Sequence, residues 1–202
     1  MEKLLATAAV FALMLWIWSE YFRAIPHLEQ TGVLKNFQVT PTQAFSGEYL
    51  LLDKRYYSAS SRTLHPAAPT VVGGFQDLAY VSNIDLLLSS GANDFQSLKY
   101  HLEWSQQNRC FSVQAKNVPS TQVEQLKSEL QNVSVIAQSE DVTNRIRRLK
   151  SGDRVEILGA WVDVHSIKTG KSYHTYNVLN KKPCHILKIN AIRLGCVDIY
   201  SR

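Results

Sequence analysis

Cysteine is scarce in this 202-residue sequence: Cys110, Cys184 and Cys196 complete the set, and none stands at the ligand spacing of a zinc site. The chain has no G-x-S-x-G elbow, so Ser/His/Asp hydrolase chemistry built on that turn has no support, and SSGAND at Ser89–Asp94 reads as a turn. A phosphate loop and a dinucleotide fingerprint are also missing. No cofactor is expected on these grounds. Charge is equally restrained: a formal +5 and a pI near 9.1 permit anionic partners without demanding them.

What the sequence does have is an uncharged apolar run at its start, Leu4–Trp18, between Lys3 and Glu20. At roughly 1.5 Å per residue, Leu4–Ser19 as a helix covers about 24 Å, a little short of a hydrocarbon core of about 30 Å. Trp16, Trp18, Tyr21 and Phe22 cluster at its end, where amphipathic rings favour the membrane interface. A cleaved secretory signal would need small residues at the cut, and WIWSEYFRAIP is bulky there. A buried helix of a soluble domain is the third reading, kept open by the shortness of the run. The preferred reading is an uncleaved anchor, marked by Leu4, Trp16 and Trp18, with the remainder outside the cytoplasm. Lys3 before the run and Arg23 after it mark that orientation only weakly.

Beyond the anchor (residues 1–23), Ala24–Ser46 has little periodicity and reads as a stalk or irregular linker, to residue 47. Residues 48–202 are expected to form one α+β domain. Glu48–Ser58 reads as its first strand, Ser58–Gly74 as a loop and Phe75–Ser90 as a short helix or turn, from Leu78, Val81, Ile84 and Leu88 near helical spacing. Leu98, Tyr100, Leu102 and Trp104 alternate ahead of Phe111 and Val113, the pattern of an antiparallel hairpin. Thr121 and Glu124 have capping-box spacing before a short amphipathic helix, and Val133–Ala137 is a brief apolar strand. Ser139–Lys150 reads as a helix capped by Ser139, with Val142, Ile146 and Leu149 as its buried stripe and Gly152 as its stop. From Asp153 the pattern predicts three strands in a barrel-like antiparallel meander, with a bulge or tight bend at Gly159.

Three constellations are candidates for a site. Asp163 and His165, two apart on a strand, face one side and would form a metal site if His174 stood opposite; an ordinary polar strand face explains them equally. Cys184 and Cys196 would close a short disulfide loop, although all three pairings are open and three reduced buried thiols fit as well. Adjacent Cys184 and His185 point to opposite faces of a strand, which disfavours a catalytic thiol. Arg145, Arg147, Arg148 and Lys150 could touch anionic glycan, lipid or nucleic acid, whereas complementing the helix dipole accounts for all four without a partner.

At SGDRVEILGAWVDVHS the chain resembles the strand-rich C-terminal part of an uncharacterised family of bacterial exported or membrane-anchored proteins. The pieces that carry the resemblance are Arg147–Asp153, Val155–Gly159, Tyr173–Asn177 and Cys184, with Asp77–Gly91 and Trp104–Gln106 similar to earlier blocks. Two blocks depart: Asn132-Val133-Ser134 stands in place of Asn-x-His, and Asn180–Pro183 in place of an acidic Gly-rich turn. The resemblance implies architecture and an inner-membrane location, and no activity. GDRVEILG is also similar to the opening strand of oligonucleotide/oligosaccharide-binding (OB) barrels, which by itself licenses no ligand.

Together these readings describe a single-pass inner-membrane protein whose envelope-facing domain is a non-enzymatic interaction or assembly module, with the membrane and other envelope proteins as partners. A small-ligand or metal-binding protein or enzyme using the Asp163, His165, His174 face is the alternative. An OB-like nucleic-acid binder is the second, and the exported location argues against it.

Overall fold

The computed structural model describes residues 2–21, 28, 33–34, 37–57, 81–91, 93–107, 110–116, 118–167, 170, 172–173 and 185–195. It is an α+β chain with one long N-terminal helix, α1 (Glu2–Tyr21), followed by a mixed sheet. The sheet strands are β1 (Val33–Leu34), β2 (Phe37–Tyr56), β3 (Ile84–Ser89), β6 (Leu130–Ala137), β7 (Arg154–Ser166), β8 (Ser172–Tyr173) and β9 (His185–Leu194). An insertion between β3 and β6 holds α2 (Phe95–His101), the hairpin β4 (Leu102–Gln107) and β5 (Cys110–Ala115), and α3 (Ser120–Ser128). Helix α4 (Glu140–Arg148) joins β6 to β7. Among the described residues, no helix is long and apolar enough to cross a membrane.

The long strand β2 is used twice. Leu50–Tyr56 pairs antiparallel with β3, and Phe37–Leu50 pairs antiparallel with β7. β3 pairs with β6, β6 runs parallel to β9, and β9 pairs with β7, so the pairings run from β2 through β3, β6, β9 and β7 back to β2. Tight curvature needs local extra residues, which bend a strand and increase its twist. They occur at Thr42 and Leu52 of β2, each skipped in the register, and at Asn190 of β9. The irregularity expected at Gly159 falls there, since the β7–β9 register shifts between Leu158 and Gly159, with the extra residue, Asn190, on the facing strand. Gly159 serves a different need: a Cβ there would collide with the carbonyl oxygen of Lys188, so only glycine lets the strands approach this closely.

Inside the circuit lies the main core: Leu51, Ile84, Leu86, Leu88, Val133, Val135, Val155, Ile157, Leu187 and Ile189, closed at one end by Val142, Ile146 and Leu149 of α4 and its C-cap. α4 follows the sequence pattern closely. The Ser139 hydroxyl accepts from the Val142 N–H at 3.4 Å, while Lys54 donates to the carbonyls of Arg147 (2.8 Å) and Leu149 (2.9 Å), satisfying last-turn acceptors that the helix leaves open.

A second core lies on the opposite side of the sheet. Leu50, Leu52 and Leu87 point outward and are covered by Leu98, Leu102 and Leu130, with Phe95, Trp104, Phe111 and Val113 of the insertion packed against them. β3 is buried along its whole length for this reason. A strand covered on both faces loses its alternation, and that is why Ile84–Ser89 is a strand where helical spacing predicted a helix or turn.

Four further expectations are corrected. The antiparallel meander does not form: β8 and β9 both lie along the edge of β7 opposite β2, and β9 closes on β6 in parallel. The alternation of Leu98, Tyr100, Leu102 and Trp104 straddles a helix–strand junction, because Asp94 accepts from the Ser97 N–H (2.6 Å) and starts α2, while the hairpin itself begins at Leu102. The capping box at Thr121 does not form, since α3 starts after Pro119 with no side-chain cap. Most consequentially, the described part of the stretch read as a linker packs and pairs with the sheet. Its Phe37–Gly47 part pairs with β7, and the Leu28 N–H donates to Ala137 at 3.1 Å while its side chain joins a third apolar cluster with Val39, Val81, Ile136, Val162, Val164 and Ile186. Polar, exposed Thr40, Thr42 and Gln43 hid this strand.

Candidate functional site

The described residues form a pocket of about 340 Å³ where the insertion meets β2. Its apolar wall is Leu52, Leu102, Phe95 and Trp104, and its polar rim is Asp53, Lys99, Glu103, Lys116 and Ser151. The two rings meet edge to face, centroids 6.3 Å apart, and Lys99 Nζ stands 4.8 Å from the Phe95 centroid. Lys116 and Glu103 approach to 3.8 Å, both side chains well exposed, so solvent screens most of their attraction. Asp53 turns one oxygen to the Lys54 N–H at 2.8 Å. The volume suits a small molecule. The lining holds no His or Cys, and its ionisable groups are Asp53, Lys99, Glu103 and Lys116.

Asp163 and His165 share one face of β7, as their spacing requires. Across the β2–β7 pair they are opposed by Thr40 and Gln38, neither a usual zinc ligand. His174 lies outside the described residues. Among the described residues no three His, Cys, Asp or Glu side chains gather as a metal site. Cys184 and Cys196, the proposed disulfide pair, also lie outside the described residues.

The basic cluster divides by environment. Arg145 is paired with Asp141 at 2.9 Å, and Arg147 is half-buried and donates to Asn144 at 3.0 Å. Arg148 and Lys150 are exposed. Trp161 is half-buried and meets Phe45 edge to face (4.9 Å), and Phe45 in turn stacks on Tyr49 (5.3 Å). Burial pushes the Tyr49 phenol above its ordinary value of 10.0.

Sequence reasoning missed the pocket altogether. Its residues come from four separate stretches, and the only local signal was the density of Phe, Tyr and Trp in Phe95–Trp104. The chain matches no family model, no curated protein and no solved structure.

Proposed function

We propose that this is a single-pass, membrane-anchored envelope protein whose folded domain is a non-enzymatic interaction or assembly module. One observation carries the anchor: α1 is apolar on all sides, and its side chains from Leu4 to Ile17 stand exposed. Leu4 is 76% exposed, Phe11 and Met14 63% each, and Trp16 59%. A helix apolar all round belongs either in a core or in a bilayer, and these side chains are in no core. The twenty residues of α1 rise about 30 Å, with the apolar stretch itself shorter, so interfacial aromatics and slight bilayer thinning make up the difference.

The strand circuit supports the finer architecture, a small OB-like barrel, through a long first strand used twice, a parallel closing pair and a helix between β6 and β7, the third and fourth of its strands in chain order. Barrels of that kind commonly bind oligonucleotides and oligosaccharides on the outer face of the second and third strands. In this chain those are β3 and β6, and their outer residues Leu87 and Leu130 are sealed beneath the insertion. This supports protein contacts made by the insertion over nucleic-acid binding by the barrel.

Paired topology reporters fused after Arg202, one active outside and one inside the cytoplasm, test the reading together with alkaline extraction of membranes. The expected result is an outside signal and a membrane pellet that retains the full chain and loses a variant without residues 2–21. An inside signal removes the envelope location; extraction of the full chain removes the anchor.

A further inference from the structure

The tether between α1 and the domain is short. α1 ends at Tyr21, and the chain is fixed again at Leu28, whose N–H is bonded to Ala137 and whose side chain is 6% exposed in the third cluster. Seven residue steps span at most about 25 Å even when fully extended. Ala137 is followed within two residues by Ser139, the cap of α4, and α4 is about 13 Å long. α1 also passes close to α4. If α1 is held in a bilayer, α4 is held near its surface.

α4 buries Val142, Thr143 and Ile146 and turns the opposite side to solvent. On that side Arg145 and Arg148 are three residues apart and therefore neighbours, with Lys150 just beyond the last turn. The segment 140–150 carries four basic residues against two acidic ones, Glu140 and Asp141, both at its start. The positive charge is thus concentrated toward the C-terminal end of α4.

We propose that Arg145, Arg148 and Lys150 rest on the anionic lipid headgroups of the membrane that holds α1, so that the domain lies against the bilayer instead of swinging from it. This rests on the anchor reading and adds a lipid preference to it. Arg145 already holds Asp141 at 2.9 Å, but both side chains are exposed and the pair is screened, so lipid phosphate can compete for it; basic residues next to a membrane anchor gain attraction from anionic lipid that salt weakens.

The test uses the full chain in nanodiscs of phosphatidylcholine alone and of phosphatidylcholine with phosphatidylglycerol, read by hydrogen exchange of peptides covering 140–150. Exchange is expected to slow roughly fivefold with the anionic lipid, the attraction of one well-placed cation. High salt and the triple variant Arg145→Gln, Arg148→Gln, Lys150→Gln should abolish the difference. The double variant Glu140→Gln, Asp141→Asn should enlarge it, which keeps the test decisive if the triple variant misfolds. Equal exchange in the two lipids, or a lipid effect surviving the triple variant, overturns the proposal. Flotation is scored separately: a chain that fails to float with phosphatidylcholine vesicles defeats the anchor reading itself.

Discussion

Replacing Gly159 by alanine puts a methyl group into a close backbone contact between β7 and β9. The new Cβ would overlap the Lys188 carbonyl oxygen, with the carbonyl carbon at 3.2 Å and Ile189 Cα at 3.3 Å. All three obstacles are backbone, so β7 and β9 must separate or retwist across the Asn190 bulge, and the aromatic stack of Phe45, whose partner in the register is Gly159, shifts with them. Overpacking costs about 1–3 kcal/mol, and a backbone obstacle puts this case near the upper end, about 3 kcal/mol. At about 2–4 °C per kcal/mol for a domain of this size, the midpoint should fall by about 6–12 °C. Gly91→Ala is the control: its Cβ would meet Glu129 even more closely, but the obstacle is a carboxylate at the end of a flexible side chain. Swinging it away gives up one long hydrogen bond from Asn93 (3.4 Å), a loss of about 0.5 kcal/mol. Thermal unfolding of the full chain in detergent, followed by far-UV circular dichroism, separates the two. A Gly159→Ala midpoint within about 2 °C of wild type, or a larger drop for Gly91→Ala, refutes the argument that obstacle type outweighs distance.

Leu98→Ala removes the fully buried side chain that pins α2 to the outer face of β2 and β3; a loss of about 2–4 kcal/mol is expected in denaturant titration, with faster proteolysis of the β4–β5 hairpin. Lys54→Met keeps most of the side-chain volume and drops two charged hydrogen bonds to the end of α4, so a midpoint loss equivalent to about 1.5 kcal/mol should appear in the same titration. Tyr49 is raised by burial, meaning the folded state keeps the phenol proton to a higher pH than the unfolded chain. Its share of stability is intact below about pH 10 and is lost as pH rises beyond that value. Between about pH 9 and 11, wild type should therefore lose more stability than Tyr49→Phe; equal losses would remove Tyr49 from the alkaline transition.

The elements that were legible in the sequence are those whose residues answer to one neighbour. α4 carries a cap, a charge gradient and a single buried stripe, and each survives in the fold because α4 covers only one end of the core. β7 alternates because one of its faces meets solvent along most of its length. β3 was misread because Leu87 is buried under the insertion while Leu86 and Leu88 are buried inside, leaving no polar position to mark a strand. The first half of β2 was misread for the opposite reason: it is polar and exposed, and its pairing with β7 depends on residues more than a hundred positions away. The pocket follows the same logic. Asp53, Trp104, Lys116 and Ser151 become neighbours only once the insertion docks, and no local pattern records that.

The double use of β2 also sets a schedule for synthesis. Thr42 and Trp161, which it joins, are 119 residues apart in the chain. At ribosomal rates of about 5–20 residues per second, the first half of β2 waits roughly 6–24 s for its partner. During that interval it is an unpaired edge, the kind that seeds aggregation. The composition matches the wait: Thr40-Pro41-Thr42-Gln43 offers little to a foreign strand, whereas the sticky Leu50-Leu51-Leu52 stands where β3 arrives first. The polarity that disguised this strand as a linker is, on this view, what keeps a nascent chain solitary until β7 emerges.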